Sequence, residues 1–558
     1  MTSATLEAPT PSLATGNFHP WLLLLMLLSL VLAIPVVCIV FSVFLPGADV
    51  WQHLYETVLS SYVVNSLILL AGVCALAMVL GTVPAWLTTM YDFPGRKVLS
   101  WGLLLPMAMP AYIIAYTYTG MLDAAGPLQS QLRDLFGWQF GDYWFPEIRS
   151  IGGAILMLAL VLYPYVYLLC RAAFNEQSIC VLEVSRSLGC GPCRSFFKVA
   201  LPLARPAIIA GLSLVMMETL ADYGTVQYFG VETFTTGIFR TWFGLGSSVA
   251  AAQLAAVLLG FITLVVLLEA WSRKQARYHH TSTRYSKLRR TQFTGWRRFV
   301  PTLICIVPLT FGFIVPAIQL LVWAKQTWSD VIDDEFLSLL AHSLELAALA
   351  SLAALVLAVF ICYGKRVLSN SLSRFIVRLL STGYAIPGTV IAVGVLIPFS
   401  WLDNRIDGWM RENMDISTGL LFSGTLFALV FAYLVRFLPV SMNTVEAGLS
   451  KIRPTMDEVG RSMGLPTLAI LRRVHVPMLK GSLLTALLLV FVDVLKELPA
   501  TLILRPFNFN TLAIRTYELA NEERLADAAS PALAIVLAGI IPVIILSRSI
   551  AKSRPGHD

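Results

Sequence analysis

The sequence predicts an all-α polytopic membrane protein: twelve transmembrane helices in two parallel, pseudo-symmetric six-helix halves. Three observations carry that prediction. The 558 residues are 57% hydrophobic and 13% charged, against about 25% charged for an ordinary soluble domain. Apolar runs of about 20 residues, enough helix to cross a bilayer, recur along the whole chain. A polar segment also occurs twice in one register. The first copy reads Glu183-Val-Ser-Arg-Ser-Leu-Gly189, then nine residues, then Val199-Ala-Leu-Pro202. The second reads Glu458-Val-Gly-Arg-Ser-Met-Gly464, then nine residues, then Val474-His-Val-Pro477, an offset of 275.

The spans fall near 21–45, 64–86, 98–119, 150–170, 203–223, 249–270, 299–322, 341–363, 376–398, 417–438, 481–500 and 530–547, and are called spans 1 to 12 below. The run 21–45 is too long for a signal peptide and lacks a convincing cleavage site, so it counts as a span. The organisation that follows is a polar tail (1–18), a first half (19–272) with its polar segment at 176–198, a basic linker (273–298), a second half (299–550) with its polar segment at 451–473, and a short tail (551–558).

Charge gives the direction. The gaps after odd-numbered spans are acidic, as in Asp330, Asp333, Asp334 and Glu335, or Asp403, Asp407, Glu412 and Asp415. The gap after span 6 holds Arg273, Lys274, Arg277, Arg284, Lys287, Arg289, Arg290, Arg297 and Arg298 and no acid. By the positive-inside rule the even gaps, both polar segments and both termini are cytoplasmic. The basic run reads as a topology anchor near anionic lipid rather than a nucleic-acid site.

The repeat extends beyond the polar segments. Pro110 in span 3 matches Pro387 in span 9, and Asn65-Ser66 at the start of span 2 resembles His342-Ser343 at the start of span 8, each at an offset of 277. Parallel halves related by an axis along the membrane normal build their pathway at the shared interface.

Each polar segment reads as a short helix ended by Gly189 or Gly464, a turn through Gly191-Pro192 or Pro466, and a new helix. Leu188 and Met463 are apolar knobs beside the turns. Pro202 and Pro477 stand in first helical turns, where a missing N–H costs nothing. The alternative is a pair of interfacial loops made similar by duplication. Cys190-Gly-Pro-Cys193 has redox-motif spacing, but no strand precedes it and the second copy has no Cys at either position. Cys38, Cys74, Cys305 and Cys362 lie in apolar runs as packing residues.

The repeated segment resembles the "EAA" loop of ABC importer membrane subunits, in two copies that span the chain. Glu183 and Gly189, like Glu458 and Gly464, match the motif's Glu and Gly; Val184-Ser185 and Val459-Gly460 replace its two alanines, and Val476 stands where Leu201 keeps the usual Leu. Asp222-Tyr-Gly-Thr-Val-Gln-Tyr-Phe-Gly230, Phe234-Thr-Thr-Gly-Ile-Phe-Arg240 and Lys496-Glu-Leu-Pro-Ala-Thr501 resemble fused ferric-iron permeases of binding-protein-dependent systems. The resemblance implies a type I importer-like permease fold in a bacterial inner membrane. It implies two copies of a separate ATPase subunit, which carry the ATP and Mg, and a periplasmic solute-binding protein that delivers ferric iron. Glu183, Arg186, Leu188 and Gly189, with Glu458, Arg461, Met463 and Gly464, would then couple to the ATPases. Related permeases for thiamine, phosphonate or another small solute are the alternative within the family.

No Gly-x-x-x-x-Gly-Lys-Ser/Thr loop occurs, so this chain is not expected to bind nucleotide or to be an enzyme, and it is expected to carry no cofactor and no stable metal site. An ion-coupled secondary transporter is the outside alternative; it would not need duplicated docking segments.

Spans 5 and 11 carry acids at matching positions: Glu218 with Asp493, and Asp222 with Glu497. A spacing of four puts each pair on one helical face, with Glu218 roughly 24 Å into its helix from Pro202. Charges at this depth face a cavity or a partner. They either line or gate a pathway, where carboxylates suit a hard cation, or hold the halves together, with Lys496 or Arg505 neutralising Glu497. Tyr223 and Tyr228 are candidates for contact with the delivery protein, or interface anchors. His342 and His475 stand apart from any metal-ligand cluster.

Overall fold

The computed structural model describes residues 20–46, 48–176, 191–275, 291–292, 295–368 and 370–552. Nearly every element is helical. The strands among the described residues are two residues long: Tyr91–Asp92 pairs in parallel with Thr291–Gln292, tying the far part of the basic linker to the chain just after span 2. Nine described helices are long and apolar enough to cross a membrane, or eleven if each of two bent pairs is one crossing. The helix at span 12, Ala529–Lys552, has a shorter apolar stretch, Ala529–Ile545. Residues such as Leu30 (68% exposed) and Leu303 (63%) turn outward, as spans in lipid require. Inside, Pro84, Pro164 and Pro439 sit within helices, where packed neighbours re-satisfy the freed backbone.

Two sets of three helices at equivalent positions form the interior. Span 2 (Leu59–Met90) packs on span 4 (Ile151–Glu176), and span 5 (Leu201–Ala221) packs on both. Span 8 (Asp334–Leu368), span 10 (Leu426–Leu449) and span 11 (Lys480–Leu495) repeat the arrangement. Small residues allow the approach: a methyl added at Gly81 would lie 2.7 Å from Val166 Cβ, and one at Gly211 would lie 2.9 Å from Val166 Cα. The first span of each half crosses to the other half. Span 1 (Pro20–Ser42) packs on span 9, and span 7 (Phe299–Leu309 running through a wide turn into Val315–Val331) packs on span 3.

Four predicted spans are corrected. Span 3 is not continuous over 98–119: Arg96–Ala108 turns by 93° at Met109-Pro110 into the helix beginning at Ala111. Span 9 is displaced in the same way. Ser371–Leu380 ends, a turn follows at Gly383–Ala385, and Gly388–Met414 starts after Pro387. Both prolines lack the N–H a continuing helix needs, so the matched pair marks a repeated break. Spans 5 and 11 stop at Ala221 and Leu495, short of the predicted 223 and 500, and the chain restarts as Gly224–Tyr228 and Pro499–Leu504. Span 11 also bends by 80° where Thr467–Met478 meets Lys480–Leu495.

Candidate functional site: an acidic cavity and a docking helix

A cavity of about 140 Å³ lies between the two three-helix sets, lined from spans 3, 4, 5, 9, 10 and 11. Glu218, Asp222, Asp493 and Glu497 all reach it, together with Lys496, Arg436, Tyr165 and Tyr384. The sequence pairing of the acids thus brings them to one place. The shared-face argument fails for Asp222 and Glu497, however, because each lies beyond the end of its helix.

Those two acids cap the restarted helices. The Asp222 carboxylate accepts from Thr225 N (3.0 Å), Val226 N (3.1 Å) and Thr225 Oγ1 (3.0 Å). The Glu497 carboxylate accepts from Ala500 N (3.0 Å), Thr501 N (3.1 Å) and Thr501 Oγ1 (2.7 Å). Acids in this position satisfy backbone donors that have no helical acceptor. Glu497 also pairs with Arg436 at 3.3 Å, the Glu497 side chain buried and that of Arg436 12% exposed. Neither expected neutraliser serves it: Lys496 pairs with Asp493 at 2.8 Å, and Arg505 with Glu518 at 2.9 Å. Glu218 forms no hydrogen bond or ion pair among the described residues. Four carboxylates against two cations leave the lining formally negative. Arg436 escaped the sequence reading, although a lone cation in an apolar run is itself the signal of an intramembrane site.

The second polar segment is described, and the first is not: Glu183, Arg186, Leu188, Gly189 and Cys190 lie outside the described residues, as do the side chain of Cys193 and residues 1–18 and 553–558. In the second copy, Thr455–Ser462 is a helix. It ends on Gly464 at φ 75°, where Gly464 N donates to Arg461 O (2.9 Å) and Leu465 N to Gly460 O (3.1 Å). That left-handed end is glycine's. Glu458, Arg461, Met463 and Gly464 are all exposed. Met456, Val459 and Met463 form one stripe, 44%, 58% and 74% exposed, at the i, i+3, i+7 spacing of a single helical face.

The opposite face is anchored by residues the sequence reading missed. Asp457 accepts from Arg366 Nε (2.9 Å) and Nη2 (2.7 Å) and meets His475 Nε2 at 2.6 Å. Arg366 also donates to Leu449 O (2.7 Å) and Ile452 O (2.9 Å) at the end of span 10. His475 is fully buried, 5.1 Å from the Tyr363 ring, and Tyr363 Oη donates to Thr467 O at 3.2 Å. His475 is therefore a structural residue, not a ligand.

Tyr223 and Tyr228 are each 8% exposed and offer little surface to a delivery protein. Tyr228 lies under Arg149, 5.2 Å from its ring centre. Tyr223 stacks on Phe239 at 3.8 Å. Among the described residues no group of three His, Cys, Asp or Glu side chains is placed to hold a metal ion.

Residues 77–277 and 350–554 match the family described as binding-protein-dependent transport system inner membrane component. The chain is 27% identical over 538 residues to an Fe(3+)-transport system permease protein of Haemophilus influenzae, covering 95% of this chain and 98% of that one. It is 26% identical over 229 residues to a molybdenum transport system permease protein of Escherichia coli, covering 40% of this chain and 95% of that one. A putative 2-aminoethylphosphonate transport system permease protein of Salmonella typhimurium is 29% identical over 159 residues, covering 28% of this chain and 55% of its own length. With both halves matched, the chain belongs to the binding-protein-dependent transport system inner membrane components: it is an ABC-importer permease, not the ATPase.

Proposed function

We propose that this permease passes ferric iron, delivered by a periplasmic solute-binding protein, through the cavity between its halves. The supporting observation is the lining. Four carboxylates against two cations favour a multivalent cation and disfavour an oxyanion, and oxygen donors suit hard Fe³⁺. Glu218, unpaired among the described residues, meets the passing ion, while Asp493 beside Lys496 tunes the same wall. Asp222 and Glu497 hold the helix restarts that shape the route.

In this reading the chain crosses a bacterial inner membrane twelve times, six per half, with both termini in the cytoplasm. Two copies of an ATPase subunit, which carry the ATP and Mg, dock on the two polar segments. Glu458, Arg461, Met463 and Gly464 form one contact, and Glu183, Arg186, Leu188 and Gly189 the other. Exposed Met456, Val459 and Met463 give a partner an apolar stripe. Transport of an oxyanion is the second reading, favoured by the likeness of part of the chain to molybdenum and 2-aminoethylphosphonate permeases. Reconstitution with the ATPase and binding protein decides between them: ATP-dependent uptake of Fe³⁺ is expected, unchanged by excess molybdate or phosphonate. Uptake of either oxyanion with none of Fe³⁺ would reject the cation reading.

A further inference from the structure

Outside the acidic cavity lies a second space of about 400 Å³, lined in part by Gln227, Glu232, Thr236 and Arg240 from the outer connection between spans 5 and 6. Glu232 and Arg240 pair at 2.9 Å and are exposed enough to mark this as the mouth. One residue lines both spaces: Tyr223. Its ring stacks on Phe239 at 3.8 Å and 19° and lies 6.0 Å from Tyr517, which lies 6.5 Å from Tyr112. Four buried rings from four separate elements, contributed by both halves, thus form one wall.

The wall is tied to the helix breaks. Tyr223 sits in the break between Ala221 and Gly224, held by the Asp222 cap and by Thr235 Oγ1 donating to Asp222 O at 2.6 Å. The equivalent break in the second half presents Leu498, an offset of 275 from Tyr223. The two breaks touch: a methyl on Gly224 would lie 3.0 Å from Leu498 Cδ2 and 2.8 Å from Tyr112 Cβ. A movement of one half against the other therefore acts directly on the backbone that carries the Tyr223 ring.

We propose that Tyr223 is the outer gate of this permease. The ring closes the acidic cavity from the mouth while stacked on Phe239, and access opens when relative motion of the halves lifts it from that stack. The proposal rests on the cavity being the route. It also gives this buried tyrosine a role that direct contact with a delivery protein does not.

The test uses the full chain with its ATPase in right-side-out proteoliposomes. A cavity-wall reporter, Ala221→Cys, is labelled by a membrane-impermeant cationic methanethiosulfonate added outside, with the same chain lacking the reporter as the background. The intact ring is expected to keep labelling near background. Tyr223→Ala should raise it at least tenfold, and Phe239→Ala should raise it too by removing the stack. Tyr223→Phe should leave it slow, because stacking needs no hydroxyl. Unchanged labelling in either alanine variant, with the ATPase still copurifying, overturns the gate. Fast labelling in Tyr223→Ala that leaves ATP-driven uptake undiminished supports the gate and instead overturns the cavity as the route.

Discussion

His475 Nε2 lies 2.6 Å from Asp457 Oδ1, and both belong to the segment that presents the exposed apolar stripe. With Arg366, this contact fastens the Thr455–Ser462 helix to the ends of spans 8 and 10. If the ATPase docks here as proposed, a push on Met463 would be delivered to both spans rather than dissipated in a loop. The first half has nothing comparable by sequence: Thr89, Leu182 and Ala200 stand at the positions equivalent to Arg366, Asp457 and His475. The two segments are duplicates in motif, but the first does not repeat the Arg366, Asp457 and His475 trio in sequence.

Removing one partner of a buried, hydrogen-bonded ion pair costs about 3–5 kcal/mol because the other charge is left unpaired. Asp457→Ala should therefore release the docking helix while leaving the spans folded. Hydrogen exchange across 455–470 should rise by a hundredfold or more, and uptake should fall sharply with the protein still membrane-inserted. Unaltered exchange would show that the anchor contributes no rigidity.

The same anchor sets an acid limit. Burial alone would raise the Asp457 carboxyl, but hydrogen bonds from His475 and Arg366 outweigh it and hold the group below its ordinary value. A depressed folded pKa gives stability that is fully present above the unfolded value, about 3.9, and lost as pH falls through the folded one. A spin label at Met463→Cys should stay equally ordered from about pH 8 down to about pH 5 and gain mobility only below about pH 4. Loss of order near pH 6 would implicate a different group.

The apolar stripe predicts the docking energetics. Val459→Asp with Met463→Glu puts two charges where a partner would have to desolvate them. Because both side chains point outward, the fold should be untouched. Copurification of the ATPase should fall at least tenfold while the thermal midpoint of the isolated permease stays the same. Retained copurification would move the docking surface elsewhere.

What the sequence made legible was whatever leaves a local mark. The duplicated Glu…Gly segments, the matched Pro110 and Pro387, and the paired acids are all visible as like residues at fixed offsets. The roles of the acids were not, because a cap depends on where a helix stops. Pro499, two residues after Glu497, marked a new helix start and was read through as span. The anchor was hidden more deeply. Arg366, Asp457 and His475 are separated by up to 109 residues, and each alone resembles an ordinary cytoplasmic charge. Only packing makes them one unit, just as only packing assigns Glu497 to Arg436 rather than to Lys496 or Arg505.

Glu218 and Glu497 should separate by phenotype. Glu218 has no described partner to strand, so Glu218→Gln should leave folding intact and lower ferric-iron uptake about tenfold, the equivalent of about 1.4 kcal/mol. Glu497→Gln weakens a cap and leaves Arg436 unpaired, so it should lower the thermal midpoint before any transport is measured. Equal uptake in Glu218→Gln and the unmodified permease would remove Glu218 from the route.

Gly388 offers a last check on the buried pair. A methyl there would run into Arg436 Nη1 and come within 2.5 Å of Glu497 Oε1, so the pair needs a glycine beside it. Overpacking at such a site costs about 1–3 kcal/mol. The first half already carries Ala111 at the equivalent position and Val161 where Arg436 stands, so no ion pair competes for that space. Gly388→Ala should therefore lower the thermal midpoint in detergent, and the triple variant Gly388→Ala with Arg436→Val and Glu497→Gln should recover part of the loss. Ala111→Gly should cost about 1 kcal/mol or less, the propensity difference alone. Equal midpoints for Gly388→Ala and Ala111→Gly would show that the Arg436–Glu497 pair shifts freely and does not constrain the helix break after Pro387.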